Sequence, residues 1–476
     1  DTKIYHNVYG GGAYGTVGDF NYKTDPNDHK VIGVESLKTA NTGKAEIIIT
    51  GGTIGVDGNE NGMVFGSSRG DVNRPGERDD HTAWVYDADV TIGETNGSTN
   101  TPLIKGSVYG SGENGHTFHN TYVKVHSGTI GIDDENDKGY TITGSSGTVY
   151  RGAAYPYRGN VYGGGCGTDT YKVADKKYFN PLAGIVLGNA KVEMDGGHVV
   201  RTVYGGGAMG SVGTFKYDDV ANNDIPDGKP TDCLNASLVD HTTGEISDGT
   251  GLCMVTISGG IIGPETMAMP NNYGNVFGAG RGEVHDPADY PNLETSAYFN
   301  NTLVTIKDNA FVKGSVYGGS ESGHVLNDTW VKIQGGQIGC GKNKTDPYTD
   351  NDWKSTSLAP CVSWNYEEDG WAYDPNAENL VDGDWKYADG TTSTEGGADV
   401  ATDGHTFYGN VFGGGSGNIP YKDNKGVSQW VPSAGRVDRK TEVTITDGHI
   451  LTNVYGGNEC TDVLGSCTVN MSGGTV

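Results

Sequence analysis

A short element of valine, an aromatic residue and glycine occurs nine times in this chain and constrains its fold more than any other feature. The residue after each valine is Tyr or Phe, and the next is always Gly. A unit repeated in this way cannot bury its apolar face alone, so stacked neighbours complete one another's core. The pairs that form this structural repeat are Val8 and Tyr9, Val64 and Phe65, Val108 and Tyr109, Val161 and Tyr162, Val203 and Tyr204, Val276 and Phe277, Val316 and Tyr317, Val411 and Phe412, and Val454 and Tyr455.

A second recurring segment lies between these elements, with two apolar residues one position apart and often Gly-Gly after them. Val255 and Ile257, followed by Gly259 and Gly260, are typical. Alternating β-branched and polar residues predict a short strand with one buried face. We therefore expect two short strands in each repeat. No apolar stripe of helical period is sustained, and 79 glycines oppose long helices, so the fold class is all-β.

The spacing of the repeats favours a solenoid over a propeller. Consecutive valines of the first element lie between 40 and 95 residues apart, a wider range than regular blades allow. In a solenoid, each coil stacks on the next while insertions protrude sideways without disturbing the stack. The sequence predicts a right-handed parallel β-helix with irregular side-loop insertions.

Longer stretches also recur and indicate a duplicated block. Gly10 to Gly18 resembles Gly205 to Gly213, which lie 195 positions later. We expect residues 1–476 to form one continuous β-solenoid that is a section of a longer chain. Its internal blocks are about 1–200 and 201–450, a third block begins near 451, and an insertion lobe spans about 340–409.

Charge and hydropathy restrict the partners. The chain has 33 Lys and Arg against 60 Asp and Glu, which gives a net charge of −27. This charge opposes binding to nucleic acid, whose phosphates are also negative. No apolar run reaches the length of a membrane span. We expect no nucleic-acid partner, no membrane span in this segment and no cofactor, with calcium as the one alternative.

The aromatic residues of the repeat have two interpretations. Packing inside the rod is the favoured one, and a row of exposed rings that binds sugars is the other. Phe replaces Tyr at Phe65, Phe277 and Phe412. This exchange predicts that the ring matters more than its hydroxyl group.

The insertion lobe concentrates tryptophan and is a candidate ligand or interface site. Such rings bind carbohydrate or dock a neighbouring molecule, whereas a self-packed lobe with its own small core is the simpler explanation. The candidate residues are Trp353, Trp364, Trp371 and Trp385.

Two acidic loops carry the hard oxygen ligands that calcium prefers. Neither loop completes an EF-hand pattern, so a solvated acidic loop is the favoured interpretation. The weak calcium candidates are Asp57, Asn59 and Asn61 in the first loop, and Asp133, Asp134 and Asp137 in the second.

The seven cysteines include no CxxC pair. Local disulfides that close an insertion or turn are a hypothesis, and they would need an oxidising compartment. The possible pairs are Cys233 with Cys253, Cys340 with Cys361, and Cys460 with Cys467, which leaves Cys166 unpaired.

A carboxylate and an imidazole three positions apart occur twice, as Glu113 with His116 and as Glu321 with His324. Such a pair is able to serve general acid-base chemistry. Hydrogen bonding within a turn is the favoured explanation, because neither copy has an evident nucleophile or second carboxylate. We assign no catalytic residues.

The elements Val203 to Gly207 and Val255 to Gly260 resemble those of large repetitive surface proteins of gut Bacteroidetes. More loosely, they resemble autotransporter and haemagglutinin-like adhesins. The resemblance implies an extracellular or cell-surface rod that takes part in adhesion or fibre formation.

We therefore expect a structural, adhesive fibre protein, and not an enzyme. Its partners would be sister molecules, through self-association or end-to-end stacking in a filament, and a glycan or host-surface ligand. Two alternatives stay open. One is a carbohydrate-active β-helix enzyme of the polysaccharide lyase or hydrolase kind, and the other is a carbohydrate-binding module.

Overall fold

Successive repeats pair through parallel strands in two large sheets, one of 13 strands and one of 9. The chain is known here from a computed structural model. The residues that it describes are 2–29, 31–38, 42–56, 61–72, 82–95, 101–133, 140–144, 147–151, 158–217, 230–233, 239–240, 245–246, 251–264, 273–284, 297–339, 385–386, 392–393, 409–417, 421–422, 428–429 and 431–476.

The nine-strand sheet consists of the valine-aromatic elements alone. Each valine pairs with the valine of the next repeat, and each aromatic residue with the next aromatic residue. We number the coils 1 to 9 by these strands. In order, they are Val8–Tyr9, Val64–Phe65, Val108–Tyr109, Val161–Tyr162, Val203–Tyr204, Val276–Phe277, Val316–Tyr317, Val411–Phe412 and Val454–Tyr455.

The thirteen-strand sheet contains the second recurring segment, also in register. Val255 pairs with Val304 and Ile257 with Ile306, for example. A further short stack of Thr-Ile type follows each segment. From coil 5 onward one strand often covers both. The strands are Lys3–Ile4, Lys44–Ile49, Thr53–Ile54, Asp87–Ile92, Leu103–Ile104, Thr121–Val125, Thr129–Ile130, Ala190–Val199, Leu252–Ile262, Asn301–Val312, Thr329–Ile338, Thr441–Ile450 and Cys467–Met471.

A fourth ladder closes each coil with a single bridging residue. Val186 pairs with Val212, which pairs with Phe299, all in parallel. In places this ladder widens into two-residue strands, which are Trp84–Val85, His116–Thr117, Tyr298–Phe299 and His324–Val325. Our expectation of two strands per repeat was therefore too low. The extra Thr-Ile strands and bridging residues are too short to show an alternating pattern in the sequence.

Within the described residues, several of the side-loop insertions contain antiparallel hairpins. Their paired strands are Phe20–Thr24 with Val31–Leu37, Tyr140–Gly144 with Gly147–Arg151, Thr170–Val173 with Lys176–Phe179, Phe215–Tyr217 with Pro230–Cys233, Val239–Asp240 with Glu245–Ile246, Trp385–Lys386 with Thr392–Ser393, and Tyr421–Lys422 with Ser428–Gln429.

The core has two layers because the two residues of each valine-aromatic strand point to opposite faces. Valines such as Val316 pack against Val331 and Ile333 of the larger sheet, and all three are at most 1% exposed. The aromatic rings form a separate cluster on the other face. Full burial of each such aliphatic side chain contributes about 1.5–3 kcal/mol.

In several coils, the polar side chain just before the valine forms a hydrogen bond with an adjacent coil. Asn160 Oδ1 accepts a hydrogen bond from the backbone N–H of Thr202 at 3.2 Å, and Asn275 Oδ1 accepts one from Ser315 at 2.8 Å. Each bond joins one coil to the next. The corners therefore satisfy buried backbone donors that no strand pairs.

These observations confirm an all-β parallel β-helix with side-loop insertions, and the described residues include no helix. The hand of the coil stays a prediction.

The glycine after each aromatic residue is required by the stacking. A Cβ atom at Gly278 would lie far inside van der Waals contact with the carbonyl oxygen of Gly318 in the next coil, and the same holds from Gly10 to Gly413. At Gly456, in the last coil, the nearest atom to such a Cβ is Cys467 Cβ at 3.1 Å. Close approach of adjacent backbones thus explains why this position is always glycine.

We expect the substitution Gly278→Ala to lower the free energy of unfolding by about 3 kcal/mol, because the two backbones have to separate. Gly456→Ala is the matched control and should cost less than about 1 kcal/mol, since it faces an exposed edge. Urea titration of both variants, followed by circular dichroism, measures the difference. Equal losses would show that the carbonyl clash does not determine this position.

Candidate functional site

The nine aromatic rings of the repeat form one continuous stack through the coils. Neighbouring ring centroids are 4.4 Å apart at the closest, between Phe277 and Tyr317, and 5.2 Å at the widest, between Tyr204 and Phe277. The rings are nearly parallel throughout. In coils 2 to 8 they are at most 5% exposed. The rings therefore serve packing, and inside the stack they offer no surface to a sugar.

Three tyrosine hydroxyls in this stack donate hydrogen bonds to glutamates two coils farther along. Tyr9 Oη lies 2.5 Å from Glu113 Oε2, and Tyr317 Oη lies 2.9 Å from Glu459 Oε2. Tyr204 makes the same bond to Glu321. Each glutamate follows the valine of its own coil by five positions. Each bond thus passes over the ring of the coil between.

Phenylalanine occurs only in even-numbered coils of this stack. Coils 2, 6 and 8 carry Phe65, Phe277 and Phe412, the rings over which these bonds pass. In coil 4, Tyr162 Oη is buried with no hydrogen-bond partner among the described residues. The sequence led us to expect that Tyr and Phe exchange freely at this position. The structure shows instead that the exchange depends on the coil. Three of the six tyrosines in the stack donate to a carboxylate two coils on, and a Phe stands between each of these donors and its acceptor.

In two of these clusters, an arginine of the intervening coil lies within 4 Å of the glutamate. Arg69 Nε is 3.9 Å from Glu113 Oε2, and Arg281 Nε is 3.8 Å from Glu321 Oε2. Arg281 also pairs with Glu283 at 3.0 Å. The arginine side chain is 48% exposed in the first cluster but 11% exposed in the second. The same three residue types thus recur four coils apart, and the second cluster is less exposed to solvent.

Burial dominates the proton affinities of this site. It raises the pKa of Tyr9, Tyr162, Tyr204 and Tyr317 well above the ordinary phenol value. Burial also raises the pKa of the Glu113 carboxyl, against the hydrogen bond from Tyr9 and the charge of Arg69, which lower it. The phenols consequently remain protonated and act as hydrogen-bond donors.

The two glutamate-histidine pairs do not form acid-base dyads. Glu113 and Glu321 bond to tyrosines, whereas the histidines bond elsewhere. His116 Nδ1 lies 2.7 Å from the carbonyl oxygen of Leu182, and His324 Nε2 lies 2.9 Å from Asp438 Oδ1.

Asp438 also accepts a hydrogen bond from Arg436 Nε at 2.8 Å. Burial raises the pKa of the Asp438 carboxyl, but His324 and Arg436 together bring it below its usual value. This histidine therefore ties coil 8 to coil 7 through an ion-paired carboxylate.

Two of the three expected local disulfides are absent from the described part of the chain. Cys253, Cys460 and Cys467 are free thiols, so the structure lacks the Cys233–Cys253 and Cys460–Cys467 bonds. Cys253 and Cys467 stand in a ladder of Ala and Thr residues that begins a strand in every coil. A small side chain is what this position needs. The pair Cys340 and Cys361 lies outside the described residues.

Cys166 is also free and buried, and it packs among the aromatic rings. Its thiol lies 3.2 Å from Thr168 Oγ1 and has a hydrogen bond with Tyr109. Burial raises the pKa of this thiol to about 12. It is therefore a protonated thiol and a poor nucleophile.

The calcium and tryptophan candidates are largely beyond what the structure describes. Asn61 Oδ1 accepts a hydrogen bond from the backbone of Val56, and Asp133 lies at the end of a described stretch. In the described part of the chain, no group of three or more His, Cys, Asp or Glu side chains could hold a metal ion. Of the tryptophans, Trp385 belongs to a described hairpin strand. The candidates outside the described residues are Asp57, Asn59, Asp134, Asp137, Trp353, Trp364 and Trp371.

No described helix is long and apolar enough to cross a membrane.

Sequence reasoning found the rings but missed their partners. Arg69 and Glu113 share one position, five residues after the valine, in coils 2 and 3, and Arg281 and Glu321 share it in coils 6 and 7. Aligning the coils by their valines would have shown this column of opposite charges beside the rings.

Comparison with known proteins gives no relative from which a function could be transferred. No protein-family model matches the sequence. No curated protein and no solved structure is significantly similar to it either.

The substitution Tyr204→Phe should lower the free energy of unfolding by about 1–3 kcal/mol, because it leaves the Glu321 carboxylate without its donor. Tyr162→Phe is the control. It removes a buried hydroxyl that has no partner in the described part of the chain, and it should be neutral or stabilising. Denaturant titration measures the stability of both variants. A larger loss for Tyr162→Phe would contradict the stabilising role of the Tyr204–Glu321 hydrogen bond.

The raised pKa values predict loss of stability in alkali. A phenol whose pKa is higher in the folded than in the unfolded chain stabilises the fold below its unfolded pKa of about 10, and that contribution is lost as the pH rises above it. We expect Tyr9, Tyr162, Tyr204 and Tyr317 to ionise only as the chain unfolds, in one cooperative step seen in ultraviolet absorbance and circular dichroism.

Tyr317→Phe should reduce the amplitude of that cooperative step, whereas replacement of Tyr5, which is 68% exposed, should leave it unchanged. Gradual ionisation of all tyrosines before any loss of circular dichroism would contradict the burial of the phenols.

Proposed function

We propose that this chain is the rod of an extracellular or cell-surface fibre, whose side loops contact surfaces or sister molecules. The observation that carries the proposal is the unbroken stack of parallel ladders from coil 1 to coil 9. The clusters described above, Tyr9 with Glu113 and His324 with Asp438, use their polar groups to join one coil to another. A scaffold requires this use of polar groups, and the resemblance to repetitive surface proteins supports it.

The last coil supports self-association. Its ladder residues Val469 and Met471 are 45% and 50% exposed, whereas Val443 and Ile445 one coil earlier are fully buried. The first coil exposes Ile4 and Tyr5. If a second copy placed its first coil on this surface, Tyr9 would stack on Tyr455 and the apolar ladders would continue. Burial of these side chains would drive the association.

We expect the 476-residue chain to form end-to-end oligomers whose size increases with concentration, measured by sedimentation velocity and seen as lengthening rods in negative-stain images. Val469→Lys combined with Met471→Lys should abolish this growth, because two buried charges would face the incoming coil.

Ile48→Lys provides the matched control, since Ile48 is 62% exposed on the side of the rod. This variant should assemble like the unmodified chain. A monomer at all concentrations, or equal loss of assembly in both variants, would refute end-to-end stacking. Turnover of acidic polysaccharides by the chain would refute the structural role and favour the enzyme alternative.

A further inference from the structure

A short antiparallel hairpin follows the valine-aromatic strand of coil 4 and carries a group of lysines. Its strands are Thr170–Val173 and Lys176–Phe179. The exposed lysines at its end are Lys172, Lys176 and Lys177. Three lysines against one aspartate give residues 172–177 a charge of +2, whereas the whole chain has −27. The hairpin is therefore a local basic site on an acidic rod.

Two of these lysines face each other across the hairpin. Lys172 pairs with Lys177 in the antiparallel register, so both side chains extend from the same face. Residues directly opposite each other have Cβ atoms about 4.5–5.5 Å apart, and like charges at this separation destabilise a strand pair. Neither lysine has an ion-pair partner in the described part of the chain. A carboxylate placed between them would remove the repulsion, so the pair favours an anionic partner.

Contacts at both ends of the hairpin fix it to the stack. Before the first strand, Asp169 Oδ2 accepts a hydrogen bond from Asn114 Nδ2 at 2.7 Å. At the end of the second strand, the buried ring of Phe179 packs against Met209 of coil 5. A site on such a support loses less conformational entropy on binding than a mobile loop does.

We propose that the Lys172–Lys177 pair is a lateral contact site, which binds carboxylates on the side of a second copy of this chain. The charge of the chain argues for this partner. A sister rod has 60 acidic against 33 basic residues, so its side attracts a basic hairpin, whereas two acidic sides repel each other. This inference rests on the proposed role as a fibre, and it adds the side loop and the chemistry that join rods side by side.

Salt separates the local attraction from the general repulsion between two acidic rods. At about 0.15 M salt the Debye length is about 8 Å, so distant charges are largely screened, whereas a lysine and a carboxylate in contact still attract. At about 1 M salt the Debye length is about 3 Å, and the contact itself is weakened. We therefore expect lateral association at the lower salt concentration and its loss at the higher one.

The test uses the 476-residue chain with its end-to-end contact blocked by Val469→Glu and Met471→Glu, which add no basic group. Sedimentation velocity of this end-blocked chain at about 0.15 M salt should show lateral dimers. Lys172→Glu combined with Lys177→Glu should raise the dissociation constant of these dimers at least about tenfold, because carboxylates would then face carboxylates. Lys172→Arg combined with Lys177→Arg keeps both charges and should retain the dimers.

Lys23→Glu combined with Lys307→Glu is the charge-matched control, since it changes the net charge equally at lysines elsewhere on the rod. This control should retain the dimers. The single substitution Lys172→Glu separates binding from stability, because it places opposite charges across the hairpin. It should weaken the dimers without lowering the free energy of unfolding, and circular dichroism verifies that each variant is folded.

Carbodiimide cross-linking identifies the partner of the lysines. In a mixture of unlabelled and ¹⁵N-labelled end-blocked chains, we expect amide bonds between the amine of Lys172 or Lys177 in one copy and an Asp or Glu carboxyl in the other. Mass spectrometry would detect them as cross-linked peptides of mixed isotope content.

Unchanged dimers in the folded variant with Lys172→Glu and Lys177→Glu would overturn the proposal, as would an equal loss in the charge-matched control. A monomer at every concentration of the end-blocked chain would overturn it too. Lysine-dependent binding of polygalacturonate by a chain that stays monomeric would assign the site to an acidic glycan instead. The two proposals fail separately, because lysine-dependent dimers without end-to-end growth of the unmodified chain would refute end-to-end stacking alone.

Discussion

Parallel hydrogen bonding between successive coils is the interaction on which the rest of this structure depends. It sets one rung spacing for every ladder, and it brings each residue against its counterpart in the next coil. Valine therefore meets valine, and ring meets ring, from Val8–Tyr9 to Val454–Tyr455. Side chains that gain from contact with their own kind, such as aliphatic and aromatic groups, suit this geometry best.

The same spacing excludes residues as strictly as it selects them. Two adjacent backbones at Gly278 and Gly318 leave no room for a Cβ atom, and the position occupied by Cys253 admits only small side chains. Buried polar groups form hydrogen bonds between coils, and the bond from the backbone N–H of Ser315 to Asn275 Oδ1 is an example. Stability is thus distributed along the stack as contacts between neighbours, which is the behaviour expected of repeat proteins.

The sequence was sufficient for the ladders that contain side chains with a strong pattern. The valine-aromatic pairs and the alternating segments lie in the predicted register, because their periodicity follows directly from the strand pleat. The bridging ladder through Val186 and Val212 was missed, since a single residue per coil has no period to detect. The partnership of Tyr204 with Glu321 was also missed, because the bond skips a coil and joins residues 117 positions apart.

Two of the three expected disulfides, Cys233–Cys253 and Cys460–Cys467, are absent, and the reason is related. Proximity in the chain suggested Cys460 with Cys467, but the stack places Cys467 in a ladder of small residues whose neighbour is Thr441. In a solenoid, the position within the coil determines the environment of a residue more than its neighbours in the chain do. Alignment by coil is therefore the better guide to its role.

Each Tyr–Glu hydrogen bond spans three consecutive coils, and this span limits how coils can be added or lost without breaking a bond. Loss of coil 6 alone would place Glu321 one coil from Tyr204 and break that bond, whereas Tyr317 and Glu459 would still lie two coils apart. Duplication of a block that contains a whole donor and acceptor set keeps each bond intact, and the four-coil spacing of Tyr9 and Tyr204 is consistent with such a duplication.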